Sequence, residues 1–248
     1  MKTIVLGDIH GRLCWYDIIK KENPDKIIFL GDYVSTHDKG ITIEQQCSNL
    51  EDILNFKEGF GENCILLRGN HDMQHLAYSW AECSGYFPHV AKWMFDIKDR
   101  FLELSQWVYI QDDLLFSHAG ITDKFWEYLN LGEPTKDNIL KINEIEPSSL
   151  FGFTPNRFSD YYGDSETQPL TWVRPITLMQ YHIKDWVQVV GHTRVKKPGS
   201  IDDFFDGVRP DWCTIPGLWI LDCLPYKYMV IEDGVKRIEN FYEDEKAI

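Results

Sequence analysis

The apolar residues in the first third of the chain fall into two alternating patterns. Short runs rich in β-branched side chains are typical of buried strands, and the stretches between them carry apolar residues at helical intervals. Together they predict three strands and the two helices that join them: Thr3–Leu6, Leu13–Glu22, Lys26–Leu30, Ile43–Phe56 and Cys64–Leu67. A strand–helix–strand order over about thirty residues is a βαβ unit, so we expect parallel strands and right-handed crossovers.

The pattern beyond residue 72 is less regular. It is helical and rich in aromatic residues over 73–107, and further short strands are predicted at Leu114–Phe116 and Trp186–Val190. Two apolar runs near the end, Leu218–Asp222 and Tyr228–Glu232, predict the arms of a hairpin. A last strand near Arg237–Phe241 then completes a second sheet. No internal repeat or linker interrupts the chain, so we predict a single domain over 1–248.

The stretch 122–170 follows neither pattern well. Its weak periodicity, several prolines and clustered aromatic residues predict a helix or two followed by an irregular, lid-like insertion. An equally good interpretation is a surface loop that packs on its own aromatic side chains.

The net charge of the chain limits the classes of molecule that we expect it to bind. The chain has 39 acidic and 25 basic residues, which give a net charge of -14. Extended binding to nucleic acid or to anionic membranes needs a basic face, so we expect neither. A phosphorylated substrate stays open, because metal ions can supply local positive charge. The six cysteines are widely spaced, and no apolar run approaches the roughly 20 residues of a membrane span, so we expect free thiols in a soluble, cytoplasmic protein.

Polar side chains able to bind metal follow five of the predicted strands. They are Asp8, His10, Asp32, Asn70, His71, Asp72, His118 and His192. The carboxyl ends of parallel strands meet at one edge of a sheet, where ligands bind. Carboxylate, imidazole and amide oxygen together suit divalent Mn, Fe or Zn. Five strand ends can supply the ligands of two ions, which in such sites lie ~3.5–4 Å apart and clamp a phosphoryl group.

Each of these motifs has an ordinary structural explanation when it stands alone. Asp-x-His is usually a turn feature, Gly-Asn-His-Asp is usually a turn or a helix N-terminus, and a single histidine after a strand is usually a hydrogen-bonded core residue. All five in order, each at a strand end, are much harder to explain by accident. The combination therefore favours a metal site.

The motifs also resemble those of a known family. In order, Gly-Asp-Ile-His-Gly, Gly-Asp-Tyr-Val, Arg-Gly-Asn-His-Asp, Ser-His-Ala-Gly and Gly-His-Thr are similar to the signature of the calcineurin-like metallophosphoesterases. The chain looks most like the phosphoprotein-phosphatase branch, which includes serine/threonine phosphatases and diadenosine-tetraphosphate hydrolases. The resemblance covers residues 3–122 and 170–235. It implies an α/β fold, a four-layer α/β/β/α sandwich of two mixed sheets flanked by helices.

The resemblance implies a dinuclear centre between the sheets, with Mn as the first expectation and Fe or Zn as alternatives. The first ion would be held by Asp8 and His10, and Asp32 would bridge both ions. The second ion would be held by Asn70, His118 and His192. A metal-bridging hydroxide would attack phosphorus in line.

Further side chains would act on the substrate. The resemblance makes His71 the general acid for the leaving group, a role that suits a side chain whose ordinary pKa is near ~6.5. It makes Arg68 a ligand of the substrate phosphate, and bidentate guanidinium is well matched to phosphate. Arg174 resembles the second phosphate-binding arginine.

One departure from the family pattern stands out. The branch usually follows Gly-Asp-x-Val with Asp-Arg-Gly, where this chain has Ser35-Thr36-His37. The aspartate that orients His71 and an arginine that binds phosphate are therefore absent from their expected places. Asp38 or Asp72 are the candidates to orient His71, and Lys39 or His37 are the candidates to replace the missing cation.

The leading hypothesis is a phosphomonoesterase of the serine/threonine protein phosphatase type. Its rival is a dinucleoside polyphosphate hydrolase or phosphodiesterase with the same centre. Many phosphodiesterases of the superfamily carry a second histidine two residues after the one at position 192, where this chain has Arg194, and this favours the phosphatase branch. The non-enzyme alternative is a structural metal-binding scaffold, although structural zinc sites close with four ligands and need no additional acid or arginines.

Overall fold

A computed structural model of the protein describes residues 1–36, 38–76, 78–153, 165–195, 199–200 and 217–241. Its first sheet is built on the predicted N-terminal strands. Parallel strands β1 (Lys2–Leu6), β2 (Lys26–Phe29) and β3 (Cys64–Leu66) are joined by helices α1 (Cys14–Glu22) and α2 (Ile43–Phe60). The predicted βαβ order is confirmed.

Local signals set the ends of the two crossover helices. At the end of α1, Asn23 takes a left-handed conformation and its N–H donates to the carbonyl of Ile19. At the start of α2, the side chain of Thr42 accepts the N–H of Gln45. Both caps satisfy backbone groups that the helix itself leaves without partners.

Two C-terminal strands complete the first sheet. Strands β9 (Lys227–Glu232) and β10 (Val235–Asn240) form a hairpin, and β9 pairs antiparallel with β1, so the strand order is β10-β9-β1-β2-β3. Asp233 and Gly234 connect them with φ values of 51° and 79°. Two consecutive left-handed residues are the geometry of a tight hairpin turn, for which Asp-Gly is a strong sequence signal.

The second sheet mixes parallel and antiparallel pairs in the order β4-β5-β6-β8-β7. Its strands are β4 (Val108–Gln111), β5 (Leu114–Ser117), β6 (Val187–Val190), β7 (Gly199–Ser200) and β8 (Leu218–Ile220). The central three, β5, β6 and β8, run parallel, and an antiparallel strand lies at each edge.

The prediction that Leu218–Asp222 and Tyr228–Glu232 form a hairpin is wrong. The prediction that the last strand completes a second sheet is also wrong, because β10 pairs with β9 in the first sheet. Strand β8 pairs with β6 in the second sheet, whereas β9 pairs with β1 in the first. Both runs are largely buried, and an apolar run does not reveal which strand will lie beside it. Because β8 is parallel to β6, Asp222 comes to lie at the same end of the second sheet as the turn after β6.

The two sheets pack face to face. Val5, Ile28 and Ile65 of the first sheet meet Phe116 and Val189 of the second in one buried cluster. The opposite faces carry helices: α1 and α2 cover the first sheet, and the helix Pro175–Tyr181 packs against the second. Strands buried on both faces show continuous apolar runs instead of alternation, as β1 does. The predicted α/β/β/α sandwich of two mixed sheets is confirmed.

The remaining α-helices of the described residues are short. They are α3 (Asn70–Gln74), α4 (Pro88–Asp96), α5 (Lys98–Leu104), α6 (Asp123–Leu129), α7 (Lys136–Leu140) and α8 (Pro175–Tyr181). Over this part of the chain, no helix is long and apolar enough to cross a membrane.

The stretch 122–170 begins with α6 and α7, in agreement with the predicted pair of helices. It then packs onto the body of the protein through Phe151, whose buried ring stacks on Trp107 with centroids 3.9 Å apart. Residues 154–164, which include most of the clustered aromatic side chains, lie outside the described residues.

Candidate functional site

Turns after five parallel strands bring polar side chains to one end of the sandwich. Asp8 follows β1, Asp32 follows β2, Asn70 begins α3 just after β3, His118 follows β5, and His192 follows β6. All five side chains are buried, with at most 8% of their surface exposed. The carboxyl edges of the two sheets therefore meet in a single polar cluster, as the sequence predicts.

One group of donor atoms lies between the sheets. The Nε2 atom of His118 is 3.0 Å from Asn70 Oδ1 and 3.4 Å from Asp32 Oδ2. The Nδ1 atom of His192 is 3.0 Å from the same Asn70 oxygen. One donor atom each from Asp32, His118 and His192 lie within 4.8 Å of one another.

A second group lies beside the first and shares Asp32 with it. His10 Nε2 is 3.9 Å from Asp8 Oδ2 and 3.9 Å from Asp32 Oδ2. The donor atoms of Asp8, His10 and Asp32 again lie within 4.8 Å of one another. Asp32 is therefore the common member of two ligand groups.

Backbone hydrogen bonds fix which nitrogen of each histidine faces the cluster. His10 Nδ1 donates to Val34 O at 2.9 Å, and His118 Nδ1 donates to Leu30 O at 2.8 Å. His192 Nε2 donates to Trp172 O at 3.2 Å. A carbonyl only accepts, so the other nitrogen of each neutral ring carries a lone pair that points at the cluster.

These lone pairs would repel one another in the absence of a cation. His118 Nε2 and His192 Nδ1 are 3.2 Å apart, and both face the Asn70 oxygen as acceptors. Histidines that bind metal use this arrangement, in which one nitrogen bonds the backbone and the other coordinates. The donor set therefore fits divalent metal ions.

Burial shifts every titratable ligand toward its neutral form. Desolvation raises the pKa of Asp8 and that of Asp32 well above the usual range for a carboxyl, and Asp222 raises the pKa of Asp8 further. Desolvation lowers the pKa of His10 and that of His118 to about 3. Cations bound between these groups would compensate the buried carboxylates while using the neutral imidazoles as ligands.

Close contacts between the backbone and two carboxylates explain why two positions of the motifs are glycine. A Cβ atom on Gly69 would lie 2.1 Å from Asp32 Oδ1, and one on Gly191 would lie 2.2 Å from Asp8 Oδ1. Both carboxylates occupy the space that a side chain would need. Strain is also concentrated here, since the non-glycine residues His10, Asp32 and His192 all have positive φ, at 46°, 51° and 61°.

Comparison with known families agrees with this geometry. The sequence model described as calcineurin-like phosphoesterase matches residues 1–196, a range that contains all six predicted ligands. The chain belongs to the calcineurin-like phosphoesterase family. It is accordingly a metal-dependent hydrolase that acts on phosphoric ester bonds.

Solved structures of phosphatases share the fold of this phosphoesterase. A cold-active protein-tyrosine phosphatase of the psychrophile Shewanella sp. is 16% identical, with a TM-score of 0.56 over 97% of this chain and 80% of that one. A protein serine/threonine phosphatase from Saccharomyces cerevisiae is 17% identical, with a TM-score of 0.56 over 99% of this chain and 81% of that one. At such identities the likeness concerns the fold.

A cavity of about 800 Å³ opens beside the ligand cluster of the phosphoesterase. His10, His71 and His192 lie in its wall, so the cavity adjoins both ligand groups. Arg174 also lines it, and Arg174 Nη1 donates to His192 O at 3.3 Å and to Thr193 Oγ1 at 3.1 Å. Arg174, which the sequence analysis predicts to be a phosphate-binding arginine, thus lies in the wall of this cavity.

The structure does not bring Arg68 into this cavity. Its Nε donates to Ser105 Oγ at 3.0 Å, and its Nη2 donates to the carbonyls of Leu102 and Ser105 at 2.7 Å each. The guanidinium also lies over the Trp107 ring, 4.8 Å from the centroid. The prediction that Arg68 binds phosphate needs correction, because these contacts direct the side chain toward the end of α5.

Asp72 has a different role from the predicted one as well. Its two carboxylate oxygens accept the backbone N–H groups of Asp32, Tyr33 and Gly69 at 2.9, 2.7 and 2.9 Å. These hydrogen bonds of Asp72 shape the turns that carry the predicted ligands, and they do not involve the His71 ring. Asp38 lines the cavity and accepts the N–H of Gly40. His37, one candidate for the missing cation, lies outside the described residues.

Sequence reasoning missed several side chains at the cavity. Arg12, Arg194, Asp222 and Tyr226 line it, and Gln74 contacts His71. Two signals could have found some of them. Arg12 directly follows the Gly-Asp-Ile-His-Gly motif, and Asp222 ends a buried strand in the same way as Asp8 and Asp32. Gln74 lies three residues after His71, the spacing of neighbours on a helix surface.

Proposed function

We propose that this phosphoesterase uses two divalent metal ions, Mn in the first instance. Asp8, His10 and Asp32 would hold one ion, and Asn70, His118 and His192 would hold the other together with Asp32. The observation that carries the proposal is the position of Asp32, which belongs to both ligand groups. When bound, such ions neutralise charge on the phosphoryl group and lower the pKa of coordinated water.

The remaining residues of the site would bind and orient the substrate. Arg174 is held by the carbonyl of His192 and the hydroxyl of Thr193 in the turn after β6, and it can donate to phosphoryl oxygens from this position. His71 lines the cavity and its Nδ1 faces Gln74, so we assign the contact with the leaving oxygen to its Nε2. His71 would supply the hydrogen bond or proton that the departing group needs.

We infer a phosphomonoesterase of the serine/threonine protein phosphatase type. A terminal phosphate carries two negative charges near neutral pH, and the cavity offers Arg174 and Arg194 beside the ligand cluster. The free state of the cysteines Cys14, Cys47, Cys64, Cys83 and Cys223 is compatible with a reducing, cytoplasmic setting.

A dinucleoside polyphosphate hydrolase is the second candidate. The cavity is larger than a single phosphate needs, and Arg12 gives it a third arginine. A polyphosphate chain would engage all three arginines, whereas a phosphomonoester would engage fewer. Comparing hydrolysis of the two substrate classes decides between them.

The test combines metal analysis with an activity panel. The purified protein should bind two equivalents of Mn, Fe or Zn and hydrolyse aryl monophosphate faster than bis-aryl phosphate or diadenosine tetraphosphate. Asp32→Asn should lose both metal and activity, and His71→Ala should lose activity alone. Asp52→Asn, an exposed change on α2, is the matched control. A single inert zinc without hydrolysis would support the structural scaffold instead.

A further inference from the structure

A further carboxylate lies beside the group formed by Asp8, His10 and Asp32, which we call the Asp8 site. Asp222 comes two residues after β8, at the end of the second sheet that also carries the turn after β6. Its backbone packs against Gly7, since a Cβ atom on Gly7 would lie 3.2 Å from Asp222 Cα. The charge of Asp222 acts on both Asp8 and Asp32. Asp222 therefore lies next to the turn that begins the Asp8 site.

The carboxylate of Asp222 is buried and has no partner in the described part of the chain. Asp222 is 8% exposed and lines the cavity together with His10. The charges of Arg12, Arg194 and Arg174 act on it, but no hydrogen bond or ion pair joins its oxygens to any described residue. Buried charges in proteins are normally paired or coordinate a metal ion. A cation beside Asp222 would supply the partner that these residues do not.

The two ligand groups have different numbers of donor residues. The group between the sheets, which we call the His118 site, has four, namely Asp32, Asn70, His118 and His192. The Asp8 site has three. Asp222 lies on the side of the Asp8 site, so its carboxylate would bring that site to four as well.

We propose that Asp222 is the fourth protein group of the Asp8 site, and that it strengthens the binding of Mn there more than the binding of Zn. Carboxylate oxygens suit Mg and Mn, whereas imidazole nitrogens suit Zn. With Asp222 the Asp8 site has three carboxylates and one imidazole, while the His118 site has two imidazoles, one carboxylate and one amide oxygen. The two sites therefore differ in the metal ion that they favour. The inference rests on the proposed function, within which it concerns the metal ions alone.

Titration of the metal-free protein with Mn²⁺ tests the proposal without any substrate. Electron paramagnetic resonance measures free Mn²⁺ at each addition, and so gives the number of sites and their dissociation constants. The wild type should bind two equivalents. Asp222→Asn should raise one dissociation constant by about tenfold or more, as the loss of a group that supports a metal site does. The rise for Zn²⁺, measured in competition with a chelator, should be smaller. Wild-type dissociation constants for Mn²⁺ in the variant overturn the proposal, and so does an equal rise for Zn²⁺.

A second background shows which site has changed. His118→Ala removes a ligand of the His118 site and leaves the three donors of the Asp8 site in place. The equivalent of Mn²⁺ that this variant still binds should weaken by the same factor when Asp222→Asn is added, because the two changes affect different sites. A remaining ion whose affinity does not depend on Asp222 contradicts the proposal.

Thermal unfolding distinguishes this role from a purely structural one. Because the carboxylate has no described partner, Asp222→Asn should leave the Tm of the metal-free protein equal or higher. The increase in Tm at a fixed Mn²⁺ concentration should be smaller in the variant, since a ligand stabilises the fold to an extent set by its affinity. A lower metal-free Tm with an unchanged increase would show a structural role only and would overturn the proposal. Asp222→Ser, which removes the charge with a smaller side chain, serves the same tests if the asparagine variant does not fold.

Asp17→Asn is the matched control. Asp17 lines the same cavity but is exposed, so this change removes one charge that solvent already screens. Both Mn²⁺ dissociation constants should stay as in the wild type, and a rise equal to that in Asp222→Asn would refute a specific role for Asp222. If Asp222→Asn leaves Mn²⁺ binding unchanged while the wild type binds two equivalents and hydrolyses phosphate esters, the inference is wrong and the proposed function stands. If the metal-loaded wild type hydrolyses no phosphate ester, the proposed function fails, and the Mn²⁺ titration still judges Asp222.

Discussion

The two sides of the cavity are built in different ways. On the ligand side, each histidine of the two donor groups donates to a backbone carbonyl and follows a buried strand. On the side of the leaving group, His71 is held by another side chain, Gln74, which in turn depends on a loop over 83–84. Strand ends are difficult to rearrange, whereas a contact between side chains changes with one substitution.

This difference indicates which parts of such an enzyme tolerate amino-acid substitution. The ligand side follows the motifs of the family, whereas Ser35, the first departure from them, lies on the other side and contacts Gln74. We expect changes on the ligand side to abolish metal binding and activity. Changes on the opposite side should alter which substrates are used, with smaller effects.

The largest effect should come from Asp32→Asn, which removes the carboxylate common to both ligand groups. Loss of metal charge at the phosphoryl group corresponds to several kcal/mol, so kcat/KM should fall by about a thousandfold. Metal content measured on the purified variant should fall below that of the wild type. A variant that keeps full metal and activity would contradict the shared role of Asp32.

Gly191→Ala tests the same side without touching a ligand. The new Cβ atom would lie 2.2 Å from Asp8 Oδ1, so the carboxylate must move. Metal affinity should fall by about 10–100-fold, as it does when the support of a ligand is disturbed, and titration calorimetry can measure it. Gly59→Ala in α2 is the control, because nothing lies within 4 Å of its added Cβ. Equal affinities in both variants would show that Asp8 is not held by this close approach.

Arg174→Gln should have a smaller effect that appears in substrate binding. A charge-assisted contact to phosphate is worth about 1.5–3 kcal/mol, so KM for a monophosphate should rise about tenfold or more. Steady-state kinetics at saturating metal separate KM from kcat. An unchanged KM would remove Arg174 from the substrate site.

Arg68→Gln should change activity least, and it gives the clearest contrast with Arg174→Gln. Its guanidinium bonds Ser105 and Leu102 instead of facing the cavity, and burial lowers the pKa of Arg68 to about 10. The variant should lose about 1–3 kcal/mol of unfolding free energy and keep its KM. Denaturant unfolding and kinetics on the same preparation can check both. A KM that rises as far as in Arg174→Gln would restore Arg68 to the phosphate site.

The residues on the ligand side of the site could be predicted from the sequence, whereas the contacts on the other side could not, and the reason is physical. Asp8, Asp32 and His118 each follow a short apolar run, and the rule that ligands gather at carboxyl edges needs no knowledge of which strands are neighbours. The direction of Arg68 depends instead on the carbonyls that α5 happens to place beside it. No local pattern contains that information.

The same limit explains the error in the sheets. Strands β8 and β9 were predictable as strands, but their separation into two sheets depends on packing between distant parts of the chain. Gln74 is an intermediate case. Its helical spacing from His71 could be read from the sequence, but the hydrogen bonds of its buried amide could not.

The position of β1 has a consequence for how the protein is made. This strand lies between β2, which is synthesised soon after it, and β9, which belongs to the last part of the described chain. Until β9 emerges from the ribosome, one edge of β1 has no partner, and an open strand edge readily pairs with other chains. Contacts between such distant segments also form slowly. The carboxylate of Asp8 thus lies at the end of a strand that lacks one neighbour until β9 has been synthesised.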